Sequence, residues 1–153
     1  MQHALKWLKA NEADLVGQLG QLVAIPSIST DGEHQKEIDR TADLTCELMR
    51  QAGLHNVAVL KTGSSNPYAY GEWLGAPGKP TVFLYAHHDV QPVNFAGDWK
   101  SDPWTLTPRG GRLYGRGSAD DKAAIVVQLG AISSYLKTAG GLPVNVKMLV
   151  EGE

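Results

Sequence analysis

Three groups of side chains in this sequence have the types and spacing for chemistry. His87, His88 and Asp89 follow the apolar run at 81–86, and Asp120 and Asp121 sit in the Gly-Arg-Gly-Ser-Ala-Asp-Asp-Lys segment at 115–122. Glu151 and Glu153 flank Gly152, directly after a second strand-like stretch at 144–150. Imidazole and carboxylate groups converging from separate strand ends are the donors a metal site needs. Both suit zinc, and a carboxylate can bridge two ions about 3.5–4 Å apart. His87 and Asp89 are two residues apart, so continued strand geometry points them the same way. One can then bind a metal while the other accepts the second ring N–H, with His88 pointing away.

Taken singly, each group has a plainer reading. A histidine at a strand end is commonly a hydrogen-bonded surface residue, and an aspartate at a helix start is commonly a cap or a partner of the helix dipole. Glu151 and Glu153 read as solvated loop charges. The segment at 115–120 has some likeness to a dinucleotide loop, but its third glycine is absent and acids stand where pyrophosphate would lie. Arg112 and Arg116 read as solvated or paired with nearby acids. The four tryptophans, at 7, 73, 99 and 104, are too scattered for a stacking platform.

The elements that must position these groups follow from periodicity. Leu5, Leu8, Leu15, Leu19, Leu22 and Val23 recur at helical spacing until Pro26. A second helix is expected from about 33 to 52, with Ile38, Thr41, Ala42, Thr45, Leu48, Met49 and Ala52 on one face and Gly53 as its C-terminal cap. Short strands are expected at 56–60 and 68–74. The unbroken apolar run at 81–86 suits a central strand covered on both faces. After an irregular stretch at 91–111, a short strand is expected at 113–114. A helix then opens at Asp120 or Asp121 and runs to about 136, with Gly140 and Gly141 after it, before a strand at 144–150. This alternation predicts an α/β fold with an at least partly parallel sheet. The chain shows no internal repeat or linker.

Composition narrows the function classes. The 153 residues are 42% hydrophobic and 20% charged, enough to bury a core, and the formal net charge of −2 shows no basic face for nucleic acid. The single cysteine, Cys46, cannot form an internal disulfide. Charges and a tryptophan occupy the first ten residues, where a signal peptide would need an apolar core. No apolar stretch approaches the ~20 residues of a membrane span. The expectation is a cytoplasmic protein acting on neither nucleic acid nor membrane.

Together the groups carry more weight. Tyr-Ala-His-His-Asp-Val-Gln-Pro-Val (85–93), Trp-Lys-Ser-Asp-Pro-Trp (99–104), Gly-Arg-Leu-Tyr-Gly-Arg-Gly-Ser-Ala-Asp-Asp-Lys (111–122) and Glu-Gly-Glu (151–153) follow one another in order. This resembles the co-catalytic zinc peptidases and amidohydrolases of metallopeptidase family twenty, at that family's intervals and over essentially the whole chain. The family includes carnosinases, glutamate carboxypeptidase, succinyl-diaminopimelate desuccinylase, acetylornithine deacetylase and aminoacylase. The Val-Gln-Pro and Ser-Ala-Asp-Asp-Lys wording is most similar to the dipeptidase and carnosinase branch.

The resemblance implies a three-layer, mostly parallel sheet with flanking helices. It implies His87 as a terminal zinc ligand, Asp89 as the catalytic-site partner that orients its imidazole, and Asp120 as the carboxylate bridging two zinc ions. Manganese or cobalt would also suit such donors. A cis peptide bond is implied at Asp120–Asp121. The implied reaction is metal-assisted hydrolysis of a peptide or N-acyl amino acid, with a glutamate deprotonating the attacking water.

Two departures qualify this. Ala123 stands where the family usually has glycine, which is tolerated unless that position needs a positive φ. The family's glutamate motif continues two positions beyond Glu153, and those positions hold the general base and a further ligand. The expectation is therefore that residues 1–153 form the amino-terminal part of a zinc hydrolase catalytic domain, without its lid and dimerisation domain. The chain alone is expected to be inactive, and to self-associate through a sheet edge left open after Val150. The alternative is a non-catalytic α/β module that binds or self-associates.

Overall fold

The computed structural model describes the backbone of residues 1–153 and every side chain but that of Ala96. Two helices, α1 (Gln2–Ala10) and α2 (Glu12–Val23), replace the one amphipathic run expected at the start. The break is at Asn11, whose side-chain amide donates to Trp7 O at 2.8 Å. The Asn11 backbone leaves helical geometry there, at φ −109° and ψ 13°, while its own N–H still donates to Trp7 O at 3.0 Å. Helix α3 (Gln35–Ala52) ends as expected on Gly53, left-handed at φ 96°.

A four-stranded sheet is built from β1 (His55–Leu60), β2 (Tyr68–Trp73), β3 (Thr81–His87) and β6 (Asn145–Glu151), in the order β1-β2-β6-β3. Strand β5 (Arg112–Tyr114) covers the short strand expected at 113–114, and it forms a separate hairpin with β4 (Thr107–Arg109), which lies inside the stretch expected to be irregular. Helix α4 (Lys122–Ala139) starts beside the aspartate pair and ends on Gly140, also left-handed at φ 71°. Ala123 lies within this helix and needs no positive φ.

The α/β class holds, with a mixed sheet. β3 and β6 run parallel, whereas β1–β2 and β2–β6 are antiparallel. Two expectations about strand position are corrected. β3, expected at the centre, is an edge strand, and the strand that ends near Val150 lies inside the sheet. The open edges therefore belong to β1 and β3.

The helices also gather on one side. α3 packs on β1 and β2, α4 packs on β3 and on α3, and α1 and α2 pack on α4. Beneath them Ala69, Ala86, Val146, Met148 and Val150 join Leu22, Val23, Met49, Ile125 and Leu129 in one buried core. By strand alternation the opposite face carries Tyr70, Phe83, Tyr85 and Leu149, and Phe83 and Tyr85 are 59% and 50% exposed. Among the described residues this second face has no helix layer, so the expected three-layer arrangement appears here with one helical side. No helix among the described residues is long and apolar enough to cross a membrane.

Candidate functional site

The parallel pairing of β3 and β6 sets His87 opposite Glu151, at the carboxyl ends of both strands. In α/β sheets this is where the chain leaves the sheet and polar groups can collect. From β3 the backbone turns through His88 and Asp89, while the turn before α4 brings Asp120 over the same strand end.

The His87 ring lies between two carboxylates. Its Nδ1 is 3.0 Å from Asp89 Oδ1, and its Nε2 is 3.0 Å from Asp120 Oδ1. The two acids differ sharply in setting, because the Asp89 side chain is 4% exposed and that of Asp120 is 92% exposed. Partial burial pulls the His87 pKa down, but the hydrogen bond to Asp120 and the charge and hydrogen bond of Asp89 outweigh it and hold it above the ordinary value. The imidazolium form donates to both acids at once. The Asp120–Asp121 peptide bond is cis, as the resemblance implied.

The neighbours of these residues have other tasks. His88 is fully buried. Its Nε2 donates to Pro67 O at 3.0 Å, its Nδ1 has no partner among the described residues, and burial lowers its pKa. Asp121 accepts the His87 N–H through Oδ2 at 3.3 Å. Lys122 is also fully buried, and burial pushes its pKa down to about 7. Arg116, expected in solvent or paired with an acid, lies over the Trp99 ring at 5.4 Å and donates to Pro92 O.

An imidazole nitrogen and a carboxylate oxygen facing each other at contact distance fit two donors of a zinc site. Nδ1 is engaged by Asp89, which leaves Nε2 as the ring nitrogen turned toward the second donor. Among the described residues no group of three or more His, Cys, Asp or Glu side chains gathers closely enough to hold a metal ion. The residues present fit part of a donor set.

Two serines join this frame that sequence reasoning passed over. Ser27 Oγ donates to His88 O and Ser29 Oγ to Asp89 Oδ2, each at 2.7 Å. Their one signal in the sequence is the Ile-Pro-Ser-Ile-Ser stretch after α2, which marks a helix stop and nothing more.

The model of Peptidase family M20/M25/M40 matches residues 83–153, from β3 through the aspartate turn to β6. Residues 83–153 are thus similar to part of that family's sequence. The Beta-Ala-His dipeptidase of Rattus norvegicus is 31% identical, across 99% of this chain and 33% of the relative. The Cys-Gly metallodipeptidase of Schizosaccharomyces pombe is 30% identical, across 91% of this chain and 31% of the relative. The crystal structure of human carnosine dipeptidase 1 superposes with a TM-score of 0.89 at 28% identity, covering 99% of this chain and 34% of that one. An M20 family metallo-carboxypeptidase from Sulfolobus solfataricus gives 0.79 at 35% identity, over 91% of this chain and 30% of that one. The chain thus spans about a third of the length of the curated relatives it matches. Their names accord with the dipeptidase branch to which the motifs pointed.

Proposed function

We propose that this chain supplies the amino-terminal part of the catalytic domain of a metal-dependent hydrolase of peptide bonds, with a dipeptide as substrate and zinc as the metal. The observation that carries this reading is the His87 imidazole held at 3.0 Å from Asp89 on one side and from Asp120 on the other. His87 would hold the metal through Nε2, and Asp120 would hold it through its exposed carboxylate. Asp89 accepts the Nδ1 proton, which keeps the Nε2 lone pair turned outward. A bound zinc ion supplies Lewis acidity and an activated water. Manganese or cobalt would serve with the same donors.

Two donors do not complete a zinc site, so the remaining ligands, the general base and the lid belong in this reading to sequence outside these residues. The relatives, about three times as long, leave room for them. The domain assignment to the amino-terminal part, a cytoplasmic setting and self-association belong to the same proposal.

A non-catalytic module has one observation in its favour, the lack of a third donor among the described residues. Turnover decides between the readings. In the protein whose reading frame contains this chain, hydrolysis of β-Ala-His or Cys-Gly should fall about 100-fold or more on chelation or in His87→Ala, a loss beyond the ~10–100-fold of a residue that only orients a ligand. Full turnover after both treatments would contradict the hydrolase reading. Residues 1–153 alone should be inert, and zinc-dependent turnover absent from a His87→Ala control would contradict the partial site.

A further inference from the structure

The two turns that carry His87, Asp89 and Asp120 are fastened to one short stretch, residues 25–29, between α2 and α3. Lys122 Nζ donates to Ile25 O at 2.7 Å and to Leu22 O at 2.8 Å, which ties the aspartate turn to the end of α2. Ser27 Oγ donates to His88 O, and Ser27 O accepts the Val90 N–H at 2.9 Å. Ile28 forms a parallel bridge with Val90. The backbone after β3 is therefore already held by main-chain and Ser27 contacts.

Ser29 reaches past that backbone to a side chain. Its Oγ lies 2.7 Å from Asp89 Oδ2, while Asp89 Oδ1 faces His87 Nδ1 at 3.0 Å. An ionised carboxylate only accepts, so the Ser29 hydroxyl is the donor. The Asp89 residue is 2% exposed, so water does not readily replace that donor on Oδ2.

We propose that Ser29 is a positioning residue for the metal-facing imidazole. Its hydroxyl fixes the rotation of the Asp89 carboxylate so that Oδ1 takes the His87 Nδ1 proton and Nε2 stays turned toward Asp120. This deepens the metal-hydrolase reading and rests on it. Rotation about the Cβ–carboxylate bond is broad for an unrestrained aspartate. With Oδ2 engaged by Ser29 and Oδ1 by His87, a single orientation satisfies both. Without the hydroxyl, Oδ2 is a buried acceptor without its partner, and nothing then fixes the rotation that presents Oδ1 to the ring.

The test is ¹⁵N NMR of the His87 ring, at a pH where it is neutral, together with titration by Zn²⁺ alone. Wild type should hold the Nδ1–H tautomer. Ser29→Ala should shift the ring toward the Nε2–H tautomer and weaken Zn²⁺ binding about tenfold, and Ser29→Thr should restore both. A folded Ser29→Ala protein with unchanged tautomer and affinity overturns the proposal. If Ser29→Ala does not fold, Ser29→Cys keeps the side-chain shape with a weak donor and should give a smaller shift the same way; no shift overturns the proposal. Unchanged Zn²⁺ binding in His87→Ala would instead overturn the metal-site reading, and the tautomer would still decide the role of Ser29.

Discussion

At the scale of the residue, the three side chains at the end of β3 differ in what surrounds them, and that difference sorts their tasks. Asp89 is buried and engaged on both oxygens, so it suits a fixed acceptor. Asp120 stands in solvent with one oxygen on His87, so it suits an exchangeable ligand. His87 lies between them, its basicity raised by both acids against the pull of burial. The i, i+2 spacing of His87 and Asp89 was legible because strand alternation alone puts them on one side. Asp120 and Asp121 could not be told apart by periodicity. The family resemblance chose Asp120, and in the fold Asp121 bonds to backbone at His87. Ser29 was not legible, because its bond spans 60 positions and a lone serine carries no periodic signal.

At the scale of the element, the glycine stops were readable from residue type, since left-handed caps favour the residue without a Cβ. Gly53 is the more demanding of the two, because a Cβ there would meet Leu136 Cδ1 at 2.8 Å, whereas at Gly140 nothing lies within 4 Å. Gly53→Ala should cost about 1–2 kcal/mol from the left-handed backbone, plus the displacement of Leu136, and Gly140→Ala should cost less. Urea unfolding of both variants checks this, and equal losses would contradict the packing argument. The split between α1 and α2 was not legible, because the apolar spacing runs on through Asn11 and only the non-helical Asn11 backbone shows the break. The apolar run in β3 suggested burial on both faces, but Phe83 and Tyr85 face outward from an edge strand. Sequence hydropathy registers that a strand is apolar without registering which neighbour covers it.

At the scale of the whole molecule, all four helices cover one side of the sheet, and the other side presents Phe83 and Tyr85 beside the open β3 edge. Part of that edge is already met by side chains, since Gln128 donates to Tyr85 O at 2.9 Å and Asp121 accepts from the His87 N–H. The edge around Phe83 remains a template for another strand. Sedimentation velocity should therefore show association that grows with concentration and weakens in Phe83→Lys/Tyr85→Lys. A clean monomer at every concentration would contradict it. The α/β class was legible from the order of elements, whereas strand order and sheet coverage depend on contacts between distant segments.

The central claim is that the end of β3 is where this chain meets a metal ion, and paramagnetic broadening by Mn²⁺ tests it most directly because it locates even weak binding. Mn²⁺ suits the same imidazole and carboxylate donors. Added to the ¹⁵N-labelled protein, it should broaden signals most strongly at His87 and around Asp120, and His87→Ala should abolish that focus. The exposed pair of His34 and Asp31, 2.9 Å apart, provides an internal control. Broadening centred on that pair, or unchanged in His87→Ala, would contradict the account.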